Sequence, residues 1–325
     1  MHFHGEASVP AGDFVHQALL YGSDDEFMEV ALPFVADGIN SEQPTLVSVQ
    51  ARHIENLRSA LGGTPEGLEL HPAEEWRGTS ARTRDKFARW ATERTAGGRH
   101  IRLVGEPAWA LGHEREVRDW ARHEAVINVA FSGLPVRFIC PYDAQALPQE
   151  VLKHAADTHP EIVDGGGSSS SDSYEDPREF CRGLDPRVQL KRRSPELEML
   201  FGLGDLPEVR RLTGSFAIDA GMSGSRTEEI VLAVNEIATN AVIHGEPPTS
   251  VRGWSAEDEV VFEVTDAGGG ILDPLAGQLP PPPAGLGGRG LWLTRLLCDA
   301  VEVCNGGGCT VTVHAATRTR VLSAA

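Results

Sequence analysis

Short apolar segments alternate with longer amphipathic segments in the first half of the chain. Three apolar runs have the length of buried strands and lie at 45–49, 101–104 and 136–140. Five longer segments have helical periodicity and cover 25–40, 52–61, 83–93, 114–128 and 148–158. Strands that alternate with helices along the sequence are typical of a parallel sheet covered by helices. The pattern predicts an α/β domain over residues 1–165.

A stretch of glycine, serine and aspartate interrupts this pattern at 164–173. It offers too little apolar surface to repay the entropy of ordering, which is typical of a flexible linker. We therefore expect a linker over 166–192 between the first domain and a second domain over 193–325. A chain of 325 residues is long enough for two such domains.

The second domain opens with the signature of a long helix. Ser225 and the glutamate three residues later form a capping box, and Gly245 ends the helix. Glu236, Asn240 and His244 recur at intervals of four residues, so they stack on one edge of this helix. Taken alone, the row is equally consistent with a solvated helix face.

A carboxylate at the end of a predicted strand follows. Residues 260–265 alternate between apolar and polar, and Asp266 comes directly after them with Gly268 and Gly270 close behind. Glycines let the backbone approach a flat ligand closely while the acid accepts a hydrogen bond from it. A tight turn after a strand is the alternative interpretation.

A glycine-rich loop at 285–290 then opens another helix, and the segments 301–304 and 310–314 are predicted to form a hairpin. Backbone N–H groups at a helix start bind anions such as phosphate. The loop matches a GxGxxG pattern, but a run of four prolines precedes it where a dinucleotide-binding loop has a strand. The pattern therefore favours a phosphate site in an α+β domain.

Composition narrows the functions further. The formal net charge of −18 disfavours direct nucleic-acid binding, which depends on clustered lysine and arginine. The start of the chain lacks a basic region and an apolar core, and no run of 18 apolar residues occurs, so we expect a cytoplasmic protein that is not in a membrane. Five cysteines without CxxC spacing indicate reduced thiols and do not indicate structural zinc: Cys140, Cys181, Cys298, Cys304 and Cys309.

The order of the C-terminal motifs resembles the gyrase, histidine kinase and MutL (GHKL) superfamily of ATPases, and within it the anti-sigma-factor serine kinases. The resemblance rests on the segments 235–245, 266–270 and 287–291 and on Thr310, and it covers about residues 194–318. It implies an α+β ATPase sandwich that binds ATP and Mg²⁺. It also implies protein partners, a sigma factor or a STAS-type anti-sigma antagonist, and a homodimer.

The same resemblance implies a role for each matching residue. Asn240 would coordinate the Mg²⁺ between the ATP phosphates, His244 would contact phosphate, and Glu236 would be the general base for a partner's hydroxyl group. Asp266 would receive the adenine amino group. The remaining positions would line the adenine pocket or form the phosphate-binding lid, and they are Gly268, Gly270, Thr310, Gly285, Gly287, Gly288, Arg289 and Gly290.

Two features depart from the superfamily pattern. The lid over 271–284 is short and contains four consecutive prolines, which puts ATP turnover in doubt. No phosphoacceptor histidine in an H-box helix precedes the domain, which disfavours a self-phosphorylating sensor kinase.

The N-terminal half resembles the MEDS sensory domain, which is similar to RecA/KaiC-like sheets without a P-loop. The segments that carry the resemblance are 14–21, 27–38, 105–109, 122–128, 140–143 and 159–160. Sensing of a small molecule is implied. Five side chains are candidates for a metal or polar ligand site if the fold gathers them, although isolated residues of these types more often belong to the core or surface: His16, His123, Glu124, Cys140 and Asp143.

These observations favour a cytoplasmic regulator whose sensory domain controls an ATP-dependent serine/threonine kinase that phosphorylates an anti-sigma antagonist or sequesters a sigma factor. Two alternatives stay open. One is a non-catalytic module that sequesters proteins with weak or no ATP turnover. The other is a small-molecule receptor whose ligand alters partner affinity.

Overall fold

The computed structural model describes residues 14–76, 79–107, 114–184, 194–256, 258–281 and 288–317. It divides the chain into two compact units, one ending at Phe180 and the other beginning at Cys181. All five cysteines are buried and unbridged.

A seven-stranded sheet forms the centre of the first unit. Its strands are β1 (Val15–Tyr21), β2 (Thr45–Val49), β3 (Leu68–Pro72), β4 (Ile101–Gly105), β5 (Val136–Asp143), β6 (Glu161–Asp164) and β7 (Gly167–Ser170). The spatial order is β3-β2-β4-β5-β1-β6-β7, and every pair is parallel except β6 with β7. The predicted α/β fold with a parallel sheet is confirmed.

Helices accompany these strands in sequence. They are α1 (Asp24–Asn40), α2 (Ala51–Ala60), α3 (Ala73–Trp76), α4 (Ser80–Arg94), α5 (Glu114–Ala130), α6 (Gln149–Thr158) and α7 (Pro177–Leu184). Successive residues of a strand point to opposite faces of a sheet. One core cluster accordingly contains Phe138 and Cys140 with residues of α4, α5 and α6, and the other contains Ile139 with residues of α1 and α2. The sheet is therefore buried on both faces.

The structure corrects the flexible linker predicted for 166–192. β7 pairs with β6 in an antiparallel hairpin, and Phe180 of α7 packs edge-on against His154 with 5.6 Å between ring centroids. The Ser168 hydroxyl donates to the Glu161 carboxylate, at 2.5 Å. An edge strand is held by backbone hydrogen bonds, which serine and glycine provide as well as apolar residues do. Residues 185–193 of that segment lie outside the described ranges.

The second unit has an antiparallel sheet of five strands. These are β8 (Leu197–Phe201), β9 (Thr249–Ser255), β10 (Glu259–Asp266), β11 (Ala300–Asn305) and β12 (Cys309–Ala316), in the order β11-β12-β10-β9-β8. A short 3-10 turn (Leu203–Asp205) precedes three helices, α8 (Leu206–Asp219), α9 (Gly224–His244) and α10 (Arg289–Leu297). Ile230, Val234 and Ile237 of α9 belong to one core cluster with Phe262 and Val264 of β10. The predicted α+β sandwich is confirmed.

The start of α9 differs from the predicted capping box. Ser223, two residues earlier than expected, caps the helix, and its hydroxyl accepts a hydrogen bond from the Arg226 amide. Ser225 lies inside the first turn. Both serines have the residue type of a helix cap, so the sequence alone does not distinguish them.

Candidate functional site

Glu236 and Asn240 lie one turn apart on α9, where the first turn of α10 packs against them. A side chain at Gly290 would place its Cβ 2.9 Å from Glu236 Oε2 and 3.0 Å from Asn240 Nδ2. The Thr294 hydroxyl bonds the Gly290 carbonyl at 2.8 Å, one turn further along α10. A side chain at Gly290 would therefore displace the ends of the Glu236 and Asn240 side chains where the two helices meet.

The start of α10 has the form of an anion site. Gly288 is the N-cap, with a left-handed φ of 83° that favours glycine. Gly288 and Arg289 are exposed, and Gly290 is buried against α9. The amino end of a helix carries partial positive charge and N–H groups without helical partners. This end lies beside Asn240, so an anionic group bound here would be within reach of α9.

Asp266 ends β10 and is 7% exposed. Its Oδ1 accepts a hydrogen bond of 2.8 Å from the Gly268 amide. Gly245 and Gly268 both pack against this carboxyl group, because a Cβ at Gly245 would collide with it and a Cβ at Gly268 would lie 2.9 Å from Oδ1. The Ala267 amide also donates to the Glu246 carbonyl at 2.7 Å. The end of α9 is thereby joined to the acidic end of β10.

The neighbouring strand completes the surroundings of Asp266. In the β10–β12 register Cys309 lies opposite Asp266 and Thr310 lies opposite Thr265. The hydroxyl groups of Thr310 and Thr265 lie 3.3 Å apart and form a hydrogen bond. Within the described residues, Thr310 makes no hydrogen bond to Asp266. Burial, with a smaller contribution from the Asp266 charge, raises the pKa of Cys309 to about 11.

The segment after Asp266 is held by a side chain that the sequence did not single out. Asn305 Oδ1 accepts from the Ile271 amide at 2.9 Å, and its Nδ2 donates to the Ile271 carbonyl at 2.8 Å. Gly270 precedes this pair with φ at +80°, and a Cβ there would collide with Asn305. The only sequence feature that could have indicated this role of Asn305 is its place before a glycine-rich turn. Asparagine is also common in turns for purely local reasons, so this feature does not identify the role.

The predicted ATP-site residues lie in two groups along the second half of α9. Glu236, Asn240 and Gly290 lie together, and Asp266 lies with Gly268 and with Gly245, which sequence reasoning treated only as a helix end. His244 is exposed at the last residue of α9. Gly285 and Gly287 lie outside the described residues.

Two of the five candidate sensory residues point away from the others. His123 Nδ1 lies 2.8 Å from the Ser80 carbonyl oxygen at the start of α4. Asp143 ends β5, where it pairs with Arg52 at 3.3 Å and accepts hydrogen bonds from the amides of the following turn. These two side chains have local structural partners, and the expectation of one joint pocket is corrected for them.

The other three meet in the core and are joined by His159. His16 Nε2 lies 3.4 Å from Cys140 Sγ and 3.6 Å from Glu124 Oε2, and His159 Nε2 lies 3.5 Å from the same carboxylate oxygen. All four side chains are at most 2% exposed. Sequence reasoning missed His159 because it follows α6 and lies 19 residues beyond Cys140.

Burial dominates the electrostatics of this four-residue cluster. It lowers the pKa of His16 and of His159 to about 3, so both rings are neutral at physiological pH. It also raises the pKa of the Cys140 thiol, with a further contribution from the Glu124 charge. Desolvation disfavours the charged form of each group.

The second unit has an antiparallel sheet covered by helices. An acidic residue ends β10, and a glycine caps the start of α10 beside α9, the longest helix of the unit. These features are those of the histidine kinase-like ATPase fold. Residues 202–314 match the histidine kinase-like ATPase domain family. Residues 15–160 match the MEDS family, the methanogen/methylotroph, DcmR sensory domain. The chain therefore combines an N-terminal MEDS domain with a C-terminal histidine kinase-like ATPase domain, as the sequence motifs indicated.

Among solved structures, the chain is similar to the RsbU and RsbW domains of a Mycobacterium tuberculosis protein. The identity is 20% and the TM-score 0.29, over 40% of this chain and 35% of that one. This chain thus spans about a third of that structure, and the likeness is too low to carry a functional argument. No curated protein matches the chain significantly. Within the described residues, no helix combines the length and apolarity needed to cross a membrane.

Proposed function

We propose that the chain is a cytoplasmic regulator whose C-terminal domain binds ATP and phosphorylates a serine or threonine of a partner protein. The observation that carries the proposal is the packing of Glu236 and Asn240 of α9 against the glycine start of α10. It brings a carboxylate, an amide and a helix amino terminus to one place. The match to the ATPase family supports the nucleotide, and the resemblance to anti-sigma kinases supports the phosphoryl acceptor.

Adenine fits the surroundings of Asp266. The Oδ1 atom is occupied by the Gly268 amide, and within the described residues the other carboxylate oxygen accepts no hydrogen bond. Gly245 and Gly268 place backbone, with no side chain of their own, against this carboxyl group. A buried acid accepting a hydrogen bond from an exocyclic amino group discriminates strongly against ligands that lack that group.

Mg²⁺ and the phosphates fit the other end of the site. An amide oxygen is a hard ligand, and Mg²⁺ is typically held by one or two protein groups together with phosphate oxygens and water. Asn240 would supply that protein oxygen, and the amino end of α10 would bind phosphate. When bound, Mg·ATP supplies the phosphoryl group and neutralises its charge. Glu236 would accept the proton of the partner's hydroxyl group.

The proposed partner is a sigma factor or a STAS-type anti-sigma antagonist, and the proposed regulation is a small molecule acting on the MEDS domain. A ligand of that domain controls the kinase only if it binds one state of the full chain more tightly than another. Homodimer formation belongs to the same proposal, by resemblance to the anti-sigma kinases.

We expect Asn240→Ala to lower Mg·ATP affinity by at least about 10- to 100-fold, because even loss of an outer group that only orients a metal ligand typically has an effect of this size. Calorimetric titration of the full chain with Mg·ATP measures the effect. Asn235→Ala, on the same helix but bonded to Arg210 of α8, is the matched control and should bind normally. If wild type and Asn240→Ala both fail to bind, a module that sequesters proteins without ATP becomes the better proposal.

Two adjacent glycines give a sharper test of the adenine pocket. We expect Gly268→Ala to weaken ATP binding by about 10- to 150-fold, because displacing Asp266 costs the roughly 1.5–3 kcal/mol of a hydrogen bond to a charged group. Gly269→Ala is the control, since its Cβ would meet no atom within 4 Å. The same titration measures both variants. If Gly268→Ala binds ATP as tightly as the Gly269→Ala control, Asp266 is not part of the nucleotide site.

A further inference from the structure

We propose that His16, Glu124, Cys140 and His159 bind a zinc-type divalent cation in the core of the MEDS domain. The four residues come from β1, α5, β5 and the segment between α6 and β6. One donor atom from each lies within 4.8 Å of all the others, and all four side chains are buried. Nothing in the nucleotide site requires this cluster, so it stands independently of the proposed kinase function.

Three of the six donor separations match the edges of a zinc coordination tetrahedron, and the other three are at most 4.8 Å. Zinc binds sulfur at about 2.3 Å and histidine nitrogen or carboxylate oxygen at about 2.0–2.2 Å, which places tetrahedral ligands about 3.3–3.6 Å apart. The observed distances are 3.4 Å from His16 Nε2 to Cys140 Sγ, and 3.6 and 3.5 Å from Glu124 Oε2 to the two Nε2 atoms. A cation can therefore be coordinated with small adjustments of side-chain torsions.

Outer hydrogen bonds orient both imidazole rings toward the centre of the cluster. His16 Nδ1 bonds Asn128 Oδ1 at 3.1 Å, and His159 Nδ1 bonds the Ala155 carbonyl at 2.7 Å. Each Nδ1 therefore carries the proton, and each Nε2 presents a lone pair to the cluster. A donor bond from the outer nitrogen to an oxygen acceptor is the usual arrangement of metal-binding histidines.

The cluster contains buried polar atoms that the neighbouring side chains leave unsatisfied. Two imidazole lone pairs face one carboxylate oxygen, and within the described residues neither Glu124 Oε2 nor His159 Nε2 has a hydrogen-bond partner. No lysine or arginine among those residues lies within ion-pair distance of Glu124, and the two histidines that do are neutral because burial lowers their pKa to about 3. Leaving buried polar atoms unsatisfied is costly, and a bound cation would satisfy all four groups at once.

Donor chemistry and burial decide the kind of ion and its role. Two imidazoles, one thiolate and one carboxylate suit zinc and not magnesium or calcium, which prefer oxygen ligands alone. Four protein ligands close the tetrahedron, so no position is open for a reacting water. The ion would tie β1 and β5 to the helices above them, away from the carboxyl ends of the strands where such sheets bind small ligands. We assign it a structural or regulatory role.

The first test measures metal content and coordination in the full chain. Purified protein should contain one equivalent of zinc, and replacement by Co²⁺ should give thiolate charge-transfer absorption and intense visible bands typical of tetrahedral cobalt. Cys140→Ala should abolish the charge-transfer band, whereas Cys298→Ala, a buried cysteine of the other domain, should retain it. Less than one tenth of an equivalent of metal with no cobalt–thiolate band, or an unchanged band in Cys140→Ala, would overturn the proposal.

A second variant keeps every ligand and so avoids the question of misfolding. Asn128→Ala removes the oxygen that orients His16 and also the amide that donates to the Thr158 carbonyl at 2.7 Å, beside His159. Loss of such an outer group typically lowers metal affinity by about 10- to 100-fold. Competition between the protein and a chromophoric zinc chelator measures that affinity. Identical zinc affinity in wild type and Asn128→Ala, together with retention of zinc by Cys140→Ala, would show that any metal bound lies elsewhere, for example at His2 and His4.

Discussion

Glu236→Gln is expected to slow phosphoryl transfer to the partner's hydroxyl group by about 10²- to 10⁴-fold, the usual contribution of a general base. Glutamine preserves the shape of the side chain and hence its packing against Gly290, but it cannot accept a proton. Mg·ATP affinity should stay unchanged, because the carboxylate acts on the acceptor and not on the nucleotide. Transfer of labelled phosphate from ATP to a purified STAS-type antagonist measures the rate.

Glu228→Gln is the matched control for this prediction. Glu228 is an exposed glutamate two turns earlier on the same helix, so the same change of charge is made away from Gly290. The control should phosphorylate at the wild-type rate. If Glu236→Gln also transfers phosphate at the wild-type rate, Glu236 is not the base. If neither wild type nor variant transfers phosphate although ATP binds, the kinase activity itself is refuted and the sequestering alternative gains support.

Once freed of metal by a chelator, the MEDS domain is expected to lose stability steeply in mild acid. Burial lowers the pKa of His16 and His159 to about 3 and that of His123 to about 4, from an ordinary value of 6.5. The unfolded chain therefore binds protons below pH 6.5 that the folded domain does not accept. Above pH 6.5 the three neutral histidines contribute fully to the free energy of unfolding. Between pH 6.5 and about pH 4 this free energy falls by about 1.4 kcal/mol per pH unit for each histidine, or about 4 kcal/mol per pH unit for the three.

Hydrogen exchange of peptides from β1 and β5 in the full chain, corrected for the intrinsic exchange rate, measures this loss between pH 7 and 5. His123→Gln removes one of the three groups and should lower the slope by about 1.4 kcal/mol per pH unit. His244→Gln, at an exposed position in the other domain, should leave the slope as it is. A stability of β1 and β5 that does not change over this range would contradict the prediction.

Local patterns were sufficient where one periodicity or one turn governs the structure. The apolar run at 136–140 and the amphipathic stretch at 114–128 predicted β5 and α5 to within a few residues, because burial of one face determines such elements. The order of Asn240, Asp266 and Gly290 likewise predicted the histidine kinase-like ATPase family that residues 202–314 match, whereas the roles of these residues in nucleotide binding stay a prediction. The edge hairpin of β6 and β7 was not predicted, because β6 offers only two apolar residues, Ile162 and Val163, and β7 is held by backbone hydrogen bonds and has no apolar residue.

The amino-acid sequence by itself determined the α/β and α+β classes and the two families that the domains match, since these follow from periodicity, composition and motif order. Only the tertiary structure decided which polar residues of the MEDS domain meet. His159 and Cys140 are brought to His16 by the pairing of three parallel strands, whereas Asp143, three residues beyond Cys140, lies at the end of the same strand. Strand pairing and helix packing over more than 100 residues of separation set these contacts, and local sequence spacing does not encode them.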